Sequence, residues 1–217
     1  MRWFVTGTDT DVGKTVTTAC LAASARTRGS VIAAKAVASG VAPGTAGEDA
    51  TLLAAAAGHP PLVFANWEAP VSPHRAAELA GRPLDVPGLV RWAAALDADT
   101  VLLEGAGGWR VPLAPGYDVA DLARAFGAPV LVVAADRLGV VNHTRLTVEA
   151  IARDGMPIAG IVLVRRGSIG DRDPSVRSNE HDLRRLLGLR VAVLPEVDPW
   201  SGSQTIAVGL ALWRDLT

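Results

Sequence analysis

A chain of 217 residues with 49% hydrophobic content and a formal net charge of −1 is long enough to bury one sizeable core. It is too balanced in charge to be drawn to nucleic acid or to an anionic membrane surface. No apolar run nears the roughly 18 residues of a membrane span and the N-terminus enters a strand-like segment without a charged leader, so the chain reads as one soluble, cytoplasmic domain over residues 1–217.

Six short branched and apolar runs, Trp3–Thr6, Val31–Lys35, Thr100–Glu104, Val130–Ala134, Ile158–Val164 and Val191–Leu194, predict strands buried on both faces. Segments rich in Ala, Leu and Arg predict helices at 13–28, 49–57, 74–80, 87–96, 118–126, 140–154, 175–187 and 203–214. Their alternation predicts an α/β fold, a mostly parallel sheet with helices on both faces. The Pro/Gly-rich tract 40–47 and the polar tract 165–174 are predicted loops. Cys20, the only cysteine, allows no intrachain disulfide and has the surroundings of a helix core residue.

In such sheets ligands sit at the carboxyl ends of the strands, where this chain keeps its unusual residues. The first strand runs into TGTDTDVGKT, residues 6–15. Gly13, Lys14 and Thr15 open a helix whose free N–H groups and dipole face an anion, with Lys14 in reach of terminal phosphates and the Thr15 hydroxyl of Mg²⁺. The plain alternative is a strand–turn–helix junction capped by Thr or Asp. The usual phosphate-loop spacing would put a glycine at position 8, where Thr8 stands. The loop is therefore longer and more polar than a phosphate needs.

Of 21 basic residues only Lys14 and Lys35 are lysine, which marks them as places where a broad guanidinium fork cannot replace a compact ammonium. In AAKAVASG, Lys35 stands at the carboxyl end of the second predicted strand and Ser39 follows near Gly40, both able to face the same crevice. Asp49 in GEDATLL is either the N-cap of the next helix or a metal ligand. In VLLEGAGGW, Glu104 ends a buried strand, where an ionised carboxylate requires a cation. Mg²⁺ favours one or two carboxylates with phosphates and water, which suits Thr15, Asp49 and Glu104 together. Gly105-Ala106-Gly107 leads on to Trp109 and Arg110 and opens no helix, which excludes a dinucleotide fingerprint. His74 and His143 lack the spacing of a zinc site. RLGVVNH reads from sequence alone as a Gly turn with Asn142 as a helix N-cap.

Taken together, TGTDTDVGKT, KAVASG, EAPVSPH, EGAGGW and DRLGVVNHTRLTVEAI occur in the order and approximate spacing of the dethiobiotin synthetases, which this chain resembles from residue 3 to about residue 200. The resemblance implies a P-loop NTPase-like fold and an ATP-dependent ring closure. Carbon dioxide adds to one amine of 7,8-diaminononanoate, ATP phosphorylates the carbamate, and the second amine displaces phosphate to give dethiobiotin. It further implies that Thr10 and Asp11 lie beside the diamine and its carbamate, with Asp11 replaced by glutamate in some members. Lys14 and Lys35 would offset charge on the carbamate and the transferred phosphoryl group, Ser39 would bind the same region, and Thr15, Asp49 and Glu104 would hold Mg²⁺. The nucleotide would be bound by Asp11, Val12, Gly13, Lys14, Thr15 and Val16, by Asp49, Glu104, Gly105, Gly107 and Gly108, and by Val164, Pro195 and Glu196 around the base. Backbone N–H groups of Gly139, Val140, Val141 and Asn142 would receive the substrate carboxylate across a homodimer interface.

One departure from that pattern is Val164, where many members carry an asparagine that reads the adenine edge. Valine cannot form that pair, so other nucleoside triphosphates are expected to serve beside ATP. A partitioning or cell-division ATPase of the same broad fold typically carries a lysine early in this loop, where this chain has acids and threonines. A silent nucleotide-binding paralogue would not need Thr10, Lys35, Ser39 and Glu104 all in place.

Overall fold

The computed structural model describes residues 1–165, 167 and 173–217, so most of the predicted loop 165–174 lies outside the described residues. One seven-stranded sheet runs through the molecule. Its strands are β1 (Arg2–Gly7), β2 (Val31–Ser39), β3 (Val63–Trp67), β4 (Thr100–Gly108), β7 (Val130–Ala135), β8 (Ile158–Val164) and β9 (Val191–Leu194), in the order β3-β2-β4-β1-β7-β8-β9. Every neighbouring pair is parallel. A separate antiparallel hairpin joins β5 (Pro112–Ala114) to β6 (Tyr117–Asp118).

Alternation along each strand divides the core in two. Phe4, Leu103, Val132 and Leu163 point to one face, while Val5, Leu102, Val133 and Val162 point to the other. The second face is covered by α1 (Lys14–Ala25), α2 (Glu48–Ala57) and α8 (Gly202–Leu216) through Leu21, Leu53 and Leu212. The first is covered by α3 (Pro73–Leu79), α4 (Val86–Ala94), α5 (Val119–Phe126), α6 (Val140–Arg153) and α7 (Asn179–Leu187), which contribute Ala76, Leu89, Leu122, Ile151 and Leu183. Both faces being buried is what a parallel sheet requires. Where α1 crosses α8 the backbones nearly touch, since a Cβ on Gly209 would stand 1.9 Å from the Cys20 carbonyl oxygen. Cys20 itself is fully buried. Among the described residues no helix is long and apolar enough to cross a membrane.

Three expectations need correction. Strand β3 was not foreseen, because as an edge strand it is only half-buried and lacks a continuous branched run. Strands β2 and β4 extend four residues beyond their predicted ends, to Ser39 and Gly108. Lys35 and Glu104 therefore lie within their strands as directly paired neighbours, each tolerated there because the other supplies its counter-charge. The predicted helix 175–187 divides into a 3-10 turn at Pro174–Arg177 and α7.

Candidate active site

The loop between β1 and α1 turns on Gly13, which has φ 98° and leaves the helix with no side-chain cap. The first-turn N–H groups of α1 thus keep the orientation that receives an anion. Asp11 also takes a positive φ, 54°, without being glycine. Backbone forced into that region marks a loop held by its surroundings. The Lys14 ammonium is folded back over the loop and donates to the Asp9 carbonyl at 2.9 Å.

Beside it lies a charge cluster centred on the buried Lys35 and Glu104. Lys35 Nζ donates to Asp49 Oδ2 at 2.5 Å and to Glu104 Oε1 at 2.6 Å. Thr15 Oγ1 donates to the same Glu104 Oε1 at 2.9 Å. The Glu104 side chain is 0% exposed and the Lys35 side chain 6%, whereas Asp49 is 47% exposed on the cleft side. Glu104 Oε2 is buried and has no hydrogen-bond partner among the described residues. A carboxylate oxygen left so is costly unless a cation or donor meets it.

Burial alone would lower the Lys35 pKa, but the Glu104 and Asp49 carboxylates outweigh it and the pKa is raised. For Asp49, burial acts to raise the pKa and the Lys35 ammonium overrides it, so the carboxyl titrates below its usual range. Lys14 differs. Burial, aided by the charge of Lys35, lowers its pKa despite the opposing pull of Glu104, Asp49 and Asp11. Burial thus dominates at Lys14, and the counter-charges of the two carboxylates dominate at Lys35.

Lys14, Thr15, Lys35 and Asp49 line one cleft of about 750 Å³ together with Thr10, Asp11, Gly13, Val16, Ser39 and Gly107, while Glu104 lies buried behind Lys35 and Thr15. The turn Pro70–Pro73, Val37 and Val111 complete its lining. That turn was signalled by EAPVSPH but carries no chemistry that single residues betray. Pro73 does open α3, and Ser72 Oγ meets His74 Nδ1 at 3.1 Å in an ordinary hydrogen bond. Gly105 and Gly108 are strand residues, with Gly108 paired to Gly7 beside the phosphate loop.

Two capping alternatives fall. The N-cap of α2 is Gly47, not Asp49, whose side chain is committed to Lys35. The N-cap of α6 is Gly139, not Asn142, which sits exposed in the first turn. The structure does not bring Gly139, Val140, Val141 and Asn142 into the wall of the cleft within this chain. Val164 is buried at 6% exposure, and a Cβ on Gly13 would stand 2.8 Å from its methyl carbon. It backs the phosphate loop and lines a crevice of about 200 Å³ with Thr10, Asp11, Val12, Asp136 and Arg137. Pro195 and Glu196 are exposed after β9, the Glu196 carboxylate lying against Gly167. Sequence reading missed the buried Asp136 carboxylate, which accepts Arg165 Nε at 2.8 Å and Asn179 Nδ2 at 2.8 Å and so ties the ends of β7 and β8 to α7. Its partners are 29 and 43 residues away, beyond any local pattern.

A family model described as an AAA domain matches residues 1–203. The ATP-dependent dethiobiotin synthetase of Anaeromyxobacter dehalogenans (strain 2CP-C) is 42% identical over 215 residues, 96% of this chain and 96% of its own. That of Rhodococcus jostii (strain RHA1) is 42% identical over 223 residues, 98% of this chain and 94% of its own. The solved structure of the cell division ATPase MinD from Pyrococcus furiosus has a TM-score of 0.55 at 18% identity and covers 98% of each chain, a likeness of fold alone.

Proposed function

The chain belongs to the dethiobiotin synthetases, and from that premise we propose how its own residues carry out the family's reaction. The reaction is the ATP-dependent closure of 7,8-diaminononanoate with carbon dioxide into dethiobiotin. One amine forms a C–N bond to carbon dioxide and loses a proton. The carbamate oxygen takes the γ-phosphoryl group of ATP, releasing ADP. The second amine then attacks the carbonyl carbon and phosphate leaves, closing the cyclic urea.

The observation that carries the assignment of residues is the convergence of Lys14, Lys35, Thr15 and Asp49 on one cleft directly beside the phosphate loop, with Glu104 bound behind them to Lys35 and Thr15. The uncapped first turn of α1, with Val12, Gly13 and Val16, receives the phosphates. Lys14 and Lys35 offset the negative charge that builds on the carbamate and the moving phosphoryl group. Thr10, Asp11 and Ser39 position the diamine and its carbamate, which explains why the loop is longer and more polar than a phosphate needs. Catalysis of this kind rests on positioning and charge compensation.

Thr15, Asp49 and Glu104 fit a hard cation, since they offer oxygen ligands and one oxygen, Glu104 Oε2, is buried without a hydrogen-bond partner among the described residues. They would hold Mg²⁺, which when bound would neutralise phosphate charge. The Gly139–Asn142 turn, exposed at Gly139 and Asn142, would serve the cleft of a second copy in a homodimer. Residues 1–217 would act as a single domain in the cytoplasm, with the base resting near Val164, Pro195 and Glu196.

The test mixes the protein with diaminononanoate, bicarbonate, Mg²⁺ and ATP and follows dethiobiotin by mass spectrometry. ATP hydrolysis without dethiobiotin would overturn the assignment. Mixed dimers check the shared site. Chains with Lys14→Ala combined with chains disrupted at Gly139–Asn142 should regain activity, because one cleft per pair is then intact.

A further inference from the structure

Lys35 carries two duties that one ammonium cannot perform at once. Its Nζ bridges Asp49 Oδ2 at 2.5 Å and Glu104 Oε1 at 2.6 Å, while the reaction needs the same charge at the carbamate. Resting on the assignment of Asp49 and Glu104 to the metal site, we infer that Lys35 is the resident counter-ion of this carboxylate pair, that a divalent cation competes with it for the same oxygens, and that cation binding releases the ammonium into the cleft.

The geometry sets up the competition. A cation held at about 2.1 Å from either bridging oxygen lies within about 5 Å of Nζ for as long as the lysine keeps both bonds. Like charges that close repel strongly where, as at Lys35 and Glu104, the groups are buried from water. Lys14 adds a second positive charge to the same cluster. The present arrangement is also lopsided. Lys35 and Thr15 both donate to Glu104 Oε1, and among the described residues none donates to Oε2. One ammonium therefore leaves part of the carboxylate's demand unmet.

Charge and reach both favour release. Two carboxylates are neutralised by one divalent cation, which frees the whole ammonium charge for an anionic carbamate. The four-carbon stem of lysine lets its head swing while the strand stays fixed. Val37, Ala38 and Ser39, further along β2, line the same cleft and give the head somewhere to go. Arginine would hold both carboxylates with a rigid fork and could not be exchanged so readily. The metal site and the substrate-side charge are then one coupled device, in which the cation arms the lysine.

The experiment titrates Mn²⁺ into the nucleotide-free, full-length protein and reads free Mn²⁺ by electron paramagnetic resonance. Lys35→Met should bind Mn²⁺ about tenfold or more tightly than wild type, because a competing charge is gone. Adding Glu104→Gln to Lys35→Met should cancel that gain. Lys35→Gln, which keeps the length and a neutral hydrogen bond, should also bind more tightly and serves where Lys35→Met does not fold. Wild-type affinity or weaker in the Lys35 variants, with Glu104→Gln still weakening Mn²⁺ binding, overturns the inference and leaves the metal site standing. Wild-type Mn²⁺ affinity in Glu104→Gln overturns the metal-site assignment and the inference with it.

Discussion

The two sides of the phosphate loop are built on different principles. Toward β2 and β4, the buried pair Lys35–Glu104 joins the half-exposed Asp49 in one charge cluster centred on Lys35, with Thr15 and Lys14 at its edge. Toward β8, Val164 packs against Gly13 with methyl groups, and the loop after β9 presents Pro195 and Glu196 to solvent. Charged groups out of water tolerate few arrangements, because each loss leaves a partner unpaired. Apolar packing has no direction and tolerates many. The reacting end should be intolerant of change, and the base end permissive.

The largest effects should come from the lysines. Lys14→Ala and Lys35→Ala are each expected to lower turnover by about 10²–10³ or more, measured as steady-state dethiobiotin formation. Lys35→Arg should fail nearly as badly, since a broad guanidinium fork cannot take the place of a compact ammonium at the reacting groups. A Lys35→Arg enzyme within a few-fold of wild type would remove the reason for lysine at that position.

Next comes the permissive side. GTP, CTP and UTP should support the reaction with kcat/KM within roughly two orders of magnitude of ATP, a spread set by pocket shape and not by a paired amide. Val164→Asn should sharpen the preference for ATP. Strict ATP dependence of the wild type, unchanged in the variant, would mean that the base is read elsewhere and that the two sides are equally selective.

A smaller effect belongs to the carboxylates. Asp49→Asn and Glu104→Gln should raise the Mg²⁺ needed for half-maximal activity by about tenfold or more, the order that loss even of an outer-shell partner costs. Circular dichroism should be unchanged. A normal Mg²⁺ titration for Asp49→Asn would reduce that residue to the partner of Lys35.

The finest contrast lies between the two lysines. The Lys14 pKa is lowered chiefly by burial, so its charge opposes folding at neutral pH and Lys14→Met should raise the melting temperature. The Lys35 pKa is raised against burial by its two carboxylates, so Lys35→Met should lower it. For a chain of this size each kcal/mol moves Tm by about 2–4 °C. The Lys35 contribution is fully present below its unfolded value of 10.5 and is lost as pH climbs through its raised folded value. The Asp49 contribution is present above 3.8 and fades as pH falls through its lowered folded value. The deficit of Lys35→Met should thus persist across neutral pH and close at both extremes. Tm shifts of the same sign in both variants would show that the lysines share one environment.

By itself the sequence determined the parallel α/β class, six of the seven strands of the main sheet, the phosphate loop and every charged member of the cluster. Those signals are local. Branched runs mark strands buried on both faces, Gly13-Lys14-Thr15 marks a helix that opens on an anion, and scarcity singles out two lysines among 21 basic residues. Tertiary structure decided what contact across the sheet decides. It placed Lys35 against Glu104, 69 residues away, and drew Asp49 off its supposed capping role to join them. It set Val164 against Gly13, fastened β7 and β8 to α7 through Asp136, and supplied the edge strand β3. A side chain's local pattern records whether it is buried, but not which distant group will share its burial. For a charged residue it is that partner, and the number of oxygens left without one, that fixes its work.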